Sequence, residues 1–190
     1  MNTIDSTHQL RMTPNAVVRR SLALVAGSLL VALGAQAAIP LPGTPVPLTL
    51  QVPAVLIVGG LLGPQLGAAS LAIYLALGAA GLPVFAPVGV PGLARLFGPT
   101  GGYLLAYPLA AAVVGRFAVR KRSVATLGVG LLLGLLTIHA GGVAQLAVLG
   151  GDVRSAVSLG SLPFLVGDLA KLVVACFIIR RLASKTSALL

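Results

Sequence analysis

Two side chains of opposite charge lie inside an apolar run near the end of the chain. The run reads SLPFLVGDLAKLVVACFIIRR over residues 161–181, and Asp168 precedes Lys171 by three positions. On a helix this spacing places both side chains on one face. In a lipid bilayer a charged side chain costs about 3 kcal/mol, so such a pair must face a partner or a polar cavity. Asp168 and Lys171 therefore indicate either a binding site or a structural ion pair that ties the helix to its neighbours.

A third charged side chain, Arg95, belongs to the Gly/Pro-rich segment FAPVGVPGLARLFGPTGGY at residues 85–103. We predict that this long apolar loop folds back as a lid over the mouth of a helix bundle. The helix that follows it begins with free N–H groups, which favour anions. If Arg95, Lys171 and Asp168 converge, their summed charge of +1 suits a small monoanion that also offers a hydrogen-bond donor to Asp168.

Other kinds of chemistry lack the residues that they need. The chain has no Glu, two His and one Cys, and no cluster has the spacing of metal ligands. Neither a nucleophile elbow nor a phosphate-binding loop is present. The two remaining acidic residues, Asp5 and Asp152, fall in the N-terminal tail and in an outer loop. The sequence therefore predicts neither an enzyme nor a metal or other cofactor.

The composition places these residues in a membrane. Hydrophobic residues make up 57% of the 190 positions and charged residues 8%, whereas soluble domains carry about 25% charged residues. We therefore predict an all-α integral membrane protein that is surrounded by the lipid bilayer. The 13 Lys and Arg residues outnumber the three acidic ones. Most of these cations stand at the ends of apolar runs, so they indicate membrane topology and not a nucleic-acid partner.

Six apolar stretches approach the length of about 20 residues that a transmembrane helix needs. They are residues 21–39, 48–63, 65–82, 100–119, 124–149 and 161–182. The second is the shortest and contains Pro53. We predict six transmembrane helices within a domain at 21–183, between one cytoplasmic tail at 1–20 and another at 184–190.

Most of the cations fall at three places that share one side of a six-helix topology. These are Arg11, Arg19 and Arg20 before the first helix, Arg116, Arg120, Lys121 and Arg122 at the end of the fourth, and Arg180, Arg181 and Lys185 at the end of the sixth. Because cytoplasmic loops carry an excess of Lys and Arg, we predict that both termini are cytoplasmic, in the cytoplasmic (inner) membrane of a bacterium. One alternative for the first helix is a signal peptide cleaved near Ala35–Ala37.

Four motifs occur in the order PLPGTPVPLTLQ (40–51), GLPVFA (81–86), RLFGPTGGY (95–103) and PFLVGDLAKL (163–172). Together they resemble those of the BioY family, the biotin-specific substrate-binding (S) components of energy-coupling factor (ECF) vitamin transporters. The resemblance implies a six-helix bundle that binds biotin near the outer face, under the loops after helices 1 and 3. It also implies a transmembrane coupling protein and two ATP-binding-cassette (ABC) ATPases as partners, a module that some members do without. The alternatives are an S component for another small anionic vitamin, and a structural or assembly subunit.

With biotin as the ligand, the charged residues have natural partners. Biotin has a cyclic urea with two N–H donors and one carbonyl, an apolar fused ring and one carboxylate. Asp168 is the candidate acceptor of a urea N–H, because charge-assisted hydrogen bonds are short and strong. Arg95 and Lys171 are the candidates for the carboxylate, and Lys171 alternatively holds Asp168 ionised and in position.

Four further residues have a ligand role and a structural role as alternatives. Phe85 and Tyr103 either pack on the fused ring or fill the bundle. Gln51 either bonds the urea carbonyl or bonds a neighbouring helix. His139, where the family tends to have a tyrosine, either lines the pocket and adds pH dependence or is a buried histidine bonded within the protein.

Helix 1 carries small residues at four-residue spacing, Ala23 with Gly27 and Ser28 with Ala32. Small residues at this spacing let helices approach closely in lipid. The family resemblance implies that the coupling protein docks on this stripe. Internal packing within a Gly/Ala-rich bundle is the alternative.

Overall fold

The computed structural model of the chain describes residues 14–118 and 123–189. Its regular structure in those ranges consists of helices and one short pair of antiparallel strands. The helices are α1 (Pro14–Gln36), α2 (Gln51–Ala79), α3 (Ala94–Phe97), α4 (Gly101–Ala118), α5 (Val124–Gly150), α6 (Val153–Gly160) and α7 (Leu165–Leu189). The strands β1 (Ala38–Ile39) and β2 (Leu48–Thr49) form a hairpin between α1 and α2. The predicted all-helical class is confirmed.

Among the described helices, α1, α2, α4 and α5 are long and apolar enough to cross a membrane. The bent pair of α6 and α7 makes a fifth span if it is counted as one. The chain is therefore a multi-pass membrane protein, as its composition predicts. Several residues on which the topology prediction rests lie outside the described ranges, namely Arg11, Arg120, Lys121 and Arg122, with the rest of residues 1–13.

The helix α2 consists of two halves that run antiparallel to each other. Gly63 interrupts it with φ 79° and ψ 179°, and Pro64 begins the second half. The side-chain nitrogen of Gln51 lies 2.7 Å from the hydroxyl of Tyr74, which is 23 residues away. On a straight helix that separation would be about 34 Å. The halves, 51–62 and 64–79, thus form a tight helical hairpin, and they correspond to the predicted stretches 48–63 and 65–82.

Glycines let the central helices pack backbone against backbone. A Cβ atom on Gly59 of α2 would collide with the carbonyl oxygen and the Cα of Ala111 in α4. A Cβ atom on Gly102 of α4 would collide with the carbonyl oxygen of Gly141 in α5. Such close contacts are the main source of packing energy between helices in lipid, where the hydrophobic effect does not drive helix association.

The described cations of the three basic groups lie at one end of the bundle, called here the basic end. Arg19 of α1 lines a groove with Leu62, next to the turn of α2, and with Thr186 of α7. A Cβ atom on Gly115, beside Arg116, would collide with the backbone of that turn. Arg180 and Arg181 line a groove with Val124, where α5 begins.

The opposite end, called here the loop end, holds the β-hairpin, α3 and α6. The hydroxyl of Thr44, between the two strands, donates a hydrogen bond of 2.7 Å to the carbonyl oxygen of Leu159 in α6. The side chain of Asp152 begins α6 by accepting hydrogen bonds from the backbone N–H groups of Arg154 and Ser155. Residues 153–160, predicted as part of an outer loop, are therefore helical. Between α6 and α7 the chain bends by 54°.

Replacing Gly59 by Ala tests the close approach of α2 and α4. We expect Gly59→Ala to destabilise the protein by about 1–3 kcal/mol, because the added methyl group overpacks a backbone contact. Gly128→Ala in α5 is the matched control, since a Cβ there meets no atom within 4 Å and Ala is the better helix former. Thermal unfolding of the purified variants measures both effects. Equal unfolding temperatures for the two variants would contradict the close packing at Gly59.

Candidate binding site

A cavity at the loop end encloses about 610 Å³ of empty space, its open mouth included. Its walls come from the β-hairpin, α2, the loop that contains α3, and helices α4, α5 and α7. All six residues predicted to bind a substrate line this cavity: Gln51, Phe85, Arg95, Tyr103, Asp168 and Lys171. His139 lines it as well. These seven residues belong to five parts of the chain, namely α2, the loop that contains α3, and helices α4, α5 and α7. The structure thus brings distant parts of the sequence together.

The carboxylate of Asp168 is a buried polar group in the cavity wall with two side-chain partners. It lies in the first turn of α7 and is 2% exposed. Its Oδ1 atom accepts a hydrogen bond of 2.9 Å from the Nζ atom of Lys171, and its Oδ2 atom lies 2.9 Å from the Nε2 atom of His139. Each carboxylate oxygen has two lone pairs, so both oxygens keep capacity to accept a hydrogen bond from a ligand.

His139 of α5 has partners for both ring nitrogens. Its Nε2–H donates to Asp168, and its Nδ1 atom lies 2.9 Å from the hydroxyl oxygen of Ser161. The ring is buried, so the structure gives the arrangement of a histidine bonded within the protein. The pairing of His139 with Asp168 is absent from the sequence analysis. Both residues are polar groups in otherwise apolar helices, and this shared feature could have suggested that they pair.

Arg95 is a buried cation without a carboxylate partner in the described ranges. It is 6% exposed, and its Nε–H and one terminal N–H donate to the carbonyl oxygens of Val90 and Ala86 at 2.8 and 2.6 Å. A guanidinium has five N–H donors, so three remain. Burial lowers the pKa of the Arg95 guanidinium, but arginine side chains stay protonated in proteins. The cavity therefore contains an unneutralised positive charge.

The loop that carries Arg95 is held in place by its backbone conformation and by two amide side chains. Gly89 has φ +97°, and a Cβ atom there would lie 3.1 Å from a terminal nitrogen of Arg95. At the start of the loop, Gln36 of α1 donates to the carbonyl oxygen of Phe85 at 3.3 Å. At its end, Gln145 of α5 donates to the carbonyl oxygens of Leu96 and Gly98 at 3.0 and 2.6 Å. The position of the guanidinium is thus fixed relative to the bundle.

The side chain of Gln51 is bonded within the protein. Its amide nitrogen donates to the hydroxyl of Tyr74 at 2.7 Å, and its amide oxygen accepts from the hydroxyl of Thr49 at 3.2 Å. This is the structural alternative given for Gln51, although the residue also lines the cavity.

Aromatic rings form one side of the cavity. Phe85 packs edge-to-face on Tyr74 with ring centroids 5.4 Å apart. Tyr103 packs edge-on against His139, and its hydroxyl donates a hydrogen bond of 2.6 Å to the carbonyl oxygen of Gly160. Tyr107, which the sequence analysis did not single out, also lines the cavity. These rings provide an apolar surface for a flat ligand.

The charges around the cavity sum to +1 when His139 is neutral. Asp168 forms an ion pair with Lys171, and it accepts a hydrogen bond from the neutral ring of His139. Asp168 and Lys171 cancel, and the charge of Arg95 remains. In the same ranges no group of three or more His, Cys, Asp or Glu side chains could hold a metal ion. The cavity is therefore suited to an organic monoanion.

The small residues of α1 differ in exposure, although Ala23 and Gly27 line the same groove. Gly27, Ser28 and Ala32 are buried. A Cβ atom on Gly27 would lie 2.5 Å from the hydroxyl oxygen of Ser70 in α2, so this part of the stripe packs inside the bundle. Ala23 is partly exposed and borders the groove that contains Arg19.

Comparison with known proteins agrees with the geometry. Residues 6–188 match the BioY family. The probable biotin transporter BioY of Pyrococcus horikoshii is 42% identical over 157 residues, which are 83% of this chain and 91% of that protein. The biotin transporter BioY of Thermotoga maritima is 45% identical over 153 residues, which are 80% of this chain and 89% of that protein.

A solved structure has the same fold. It is the crystal structure of the S-component for biotin from an ECF-type ABC transporter, which superimposes with a TM-score of 0.83 at 29% identity. The superposition covers 91% of this chain and 95% of that one. The agreement therefore extends over nearly the full length in sequence and in structure, and the chain belongs to the BioY family.

Proposed function

We propose that this protein captures biotin from outside the cell and is the substrate-specific subunit of an ECF-type transporter, acting in transport and not in catalysis. The observation that carries the proposal is the buried guanidinium of Arg95, which lines the cavity and has no carboxylate partner in the described ranges. A buried charge is costly unless it is paired, so the cavity favours an anion. Relatives named as biotin transporters identify that anion.

The chemistry of biotin fits the groups that the cavity leaves available. The carboxylate of the tail pairs with the free N–H donors of Arg95. A urea N–H donates to Asp168, whose two oxygens each have a lone pair left. Lys171 and His139 hold Asp168 ionised and oriented, because each donates to one of its oxygens. Phe85 and Tyr103 pack on the fused ring.

The proposed topology has six crossings. The antiparallel halves of α2 count as two, and α1, α4, α5 and α7 complete the set. An even number returns the chain to its starting side, in agreement with Arg19 and Thr186 lining one groove. Because Lys and Arg favour the cytoplasm, the basic end is cytoplasmic and the cavity opens outward from the bacterial cytoplasmic membrane.

These 190 residues contain no nucleotide-binding motif, so the energy for uptake comes from partners or from the concentration gradient of biotin. The proposed partners are a transmembrane coupling protein and two ABC-type ATPases. The docking surface is the exposed side of α1 around Ala23. The buried residues Gly27, Ser28 and Ala32 support it from within by setting the distance between α1 and α2.

Replacing Arg95 by Met tests the role of the unpaired charge. We expect the purified protein to bind biotin and Arg95→Met to bind it about 100-fold more weakly, because a buried charged hydrogen bond is lost. Arg154→Met is the matched control, since Arg154 is an exposed arginine at the same end. Equilibrium binding of labelled biotin measures the affinities. Absence of binding to folded wild-type protein would reject biotin as the ligand and favour another anionic vitamin.

Replacing Asp168 and Lys171 separates a binding role from a structural one. Asp168→Asn removes the charged acceptor, so we expect biotin affinity to fall about 100-fold. Asp168→Leu leaves Lys171 without its carboxylate and should destabilise the empty protein by about 3 kcal/mol. The double variant Lys171→Met/Asp168→Leu should recover stability without recovering binding. Thermal unfolding and biotin binding provide the two measurements, and full binding by the double variant would show that the pair is only structural.

Two substitutions on α1 distinguish docking from packing. Ala23→Leu should leave biotin binding unchanged and reduce co-purification with a coexpressed coupling protein and its ATPases, because Ala23 is partly exposed. Gly27→Leu should reduce the yield of folded protein, since even a Cβ would lie 2.5 Å from Ser70. Co-purification and size-exclusion chromatography report these results. A folded Gly27→Leu variant that loses only its partners would contradict the packing assignment.

A further inference from the structure

Tyr107 lines the cavity, and its buried hydroxyl has no hydrogen-bond partner among the residues that the structure describes. Tyr107 lies in α4 and is 3% exposed. Its ring stacks on Tyr74 with centroids 6.5 Å apart and an interplanar angle of 28°. Within the described ranges its hydroxyl makes no hydrogen bond, although buried tyrosine hydroxyls normally have one. An uncommitted donor at this depth indicates a partner that arrives with the ligand.

Two other neutral side chains of the cavity wall, Tyr103 and Gln51, already have hydrogen bonds within the protein. The hydroxyl of Tyr103 donates to the carbonyl oxygen of Gly160. The amide nitrogen of Gln51 donates to Tyr74, and its oxygen accepts from Thr49. Using either group for a ligand would break an existing hydrogen bond. Tyr107 offers its proton without that loss.

We propose that the hydroxyl of Tyr107 donates a hydrogen bond to the carbonyl oxygen of the ligand's cyclic urea, the role that the sequence analysis gave to Gln51. The inference rests on biotin capture as the function of the cavity. A cyclic urea presents N–H donors beside a carbonyl acceptor, and the cavity supplies a complement to each. Asp168 accepts the N–H, and Tyr107 supplies the donor for the carbonyl.

Tyr107 would therefore determine specificity as well as contribute affinity. A site with a buried donor discriminates against a ligand that lacks a matching acceptor, because the donor then stays unpaired. The preferred ligand has a hydrogen-bonding carbonyl between two N–H groups. A carboxylate at the far end of the ligand is recognised separately by Arg95.

The test is a cycle of one protein change and one ligand change. Biotin and 2-thiobiotin differ in the urea oxygen, which a weakly accepting sulfur replaces. We expect Tyr107→Phe to bind biotin about 3- to 10-fold more weakly than wild type, the range for one neutral hydrogen bond. For 2-thiobiotin the affinities of the two proteins should differ by less than about 2-fold, because its sulfur accepts only a weak hydrogen bond. Competition against labelled biotin gives all four affinities.

Tyr103→Phe is the matched control, because it removes a hydroxyl from the same cavity that is bonded to Gly160. Its effect should be equal for the two ligands. Tyr107→Phe should also leave the unfolding temperature of the empty protein unchanged, since its hydroxyl makes no hydrogen bond to a described residue. Equal losses for both ligands, no loss for biotin, or a lower unfolding temperature would each overturn the inference. Failure of wild-type protein to bind biotin would instead reject the function on which it rests.

Discussion

One buried carboxylate organises the polar part of this bundle. Asp168 of α7 binds Lys171 on its own helix and His139 on α5, each at 2.9 Å. A buried carboxylate must be paired to stay ionised, so these contacts fix how α5 and α7 face each other. His139 is bonded in turn to Ser161, in the bend before α7. These contacts therefore fix the position of the Asp168 carboxylate in the cavity wall. Its remaining lone pairs are available to a ligand at that position.

A second constraint comes from the turn at Gly63. Its φ of 79° is a conformation that residues with a Cβ adopt rarely, and it reverses the chain within a few residues. The reversal brings Gln51 to Tyr74, and Tyr74 in turn supports the rings of Phe85 and Tyr107. The aromatic side of the cavity thus depends on a glycine near the opposite end of the bundle. The glycines that pack α2 against α4 fix the distance between these helices, and so they help to fix where the rings lie.

The sequence predicted features that depend on local spacing or on overall composition. Asp168 and Lys171 are three residues apart, so their shared face follows from helical geometry, and the apolar composition required a membrane. The pairing of His139 with Asp168 joins residues on different helices, and no local pattern specifies which helices meet. The same holds for Gln51 and Tyr74, whose contact requires the hairpin in α2. The break before Leu165 was missed because Leu162 and Phe164 continue the apolar pattern, although Pro163 between them is a signal for a break.

Arg95 was assigned to the cavity from its charge and from the apolar loop that carries it, and the structure shows what makes that assignment physically possible. The guanidinium is bonded to carbonyl oxygens of its own loop, and the loop is attached to α1 and α5 through Gln36 and Gln145. The cation therefore stays buried when no anion is present, because its loop is held by other contacts. The guanidinium is therefore held in place before a ligand arrives. A carboxylate that enters then meets donors already in position, and such preorganisation raises affinity by reducing the ordering that binding requires.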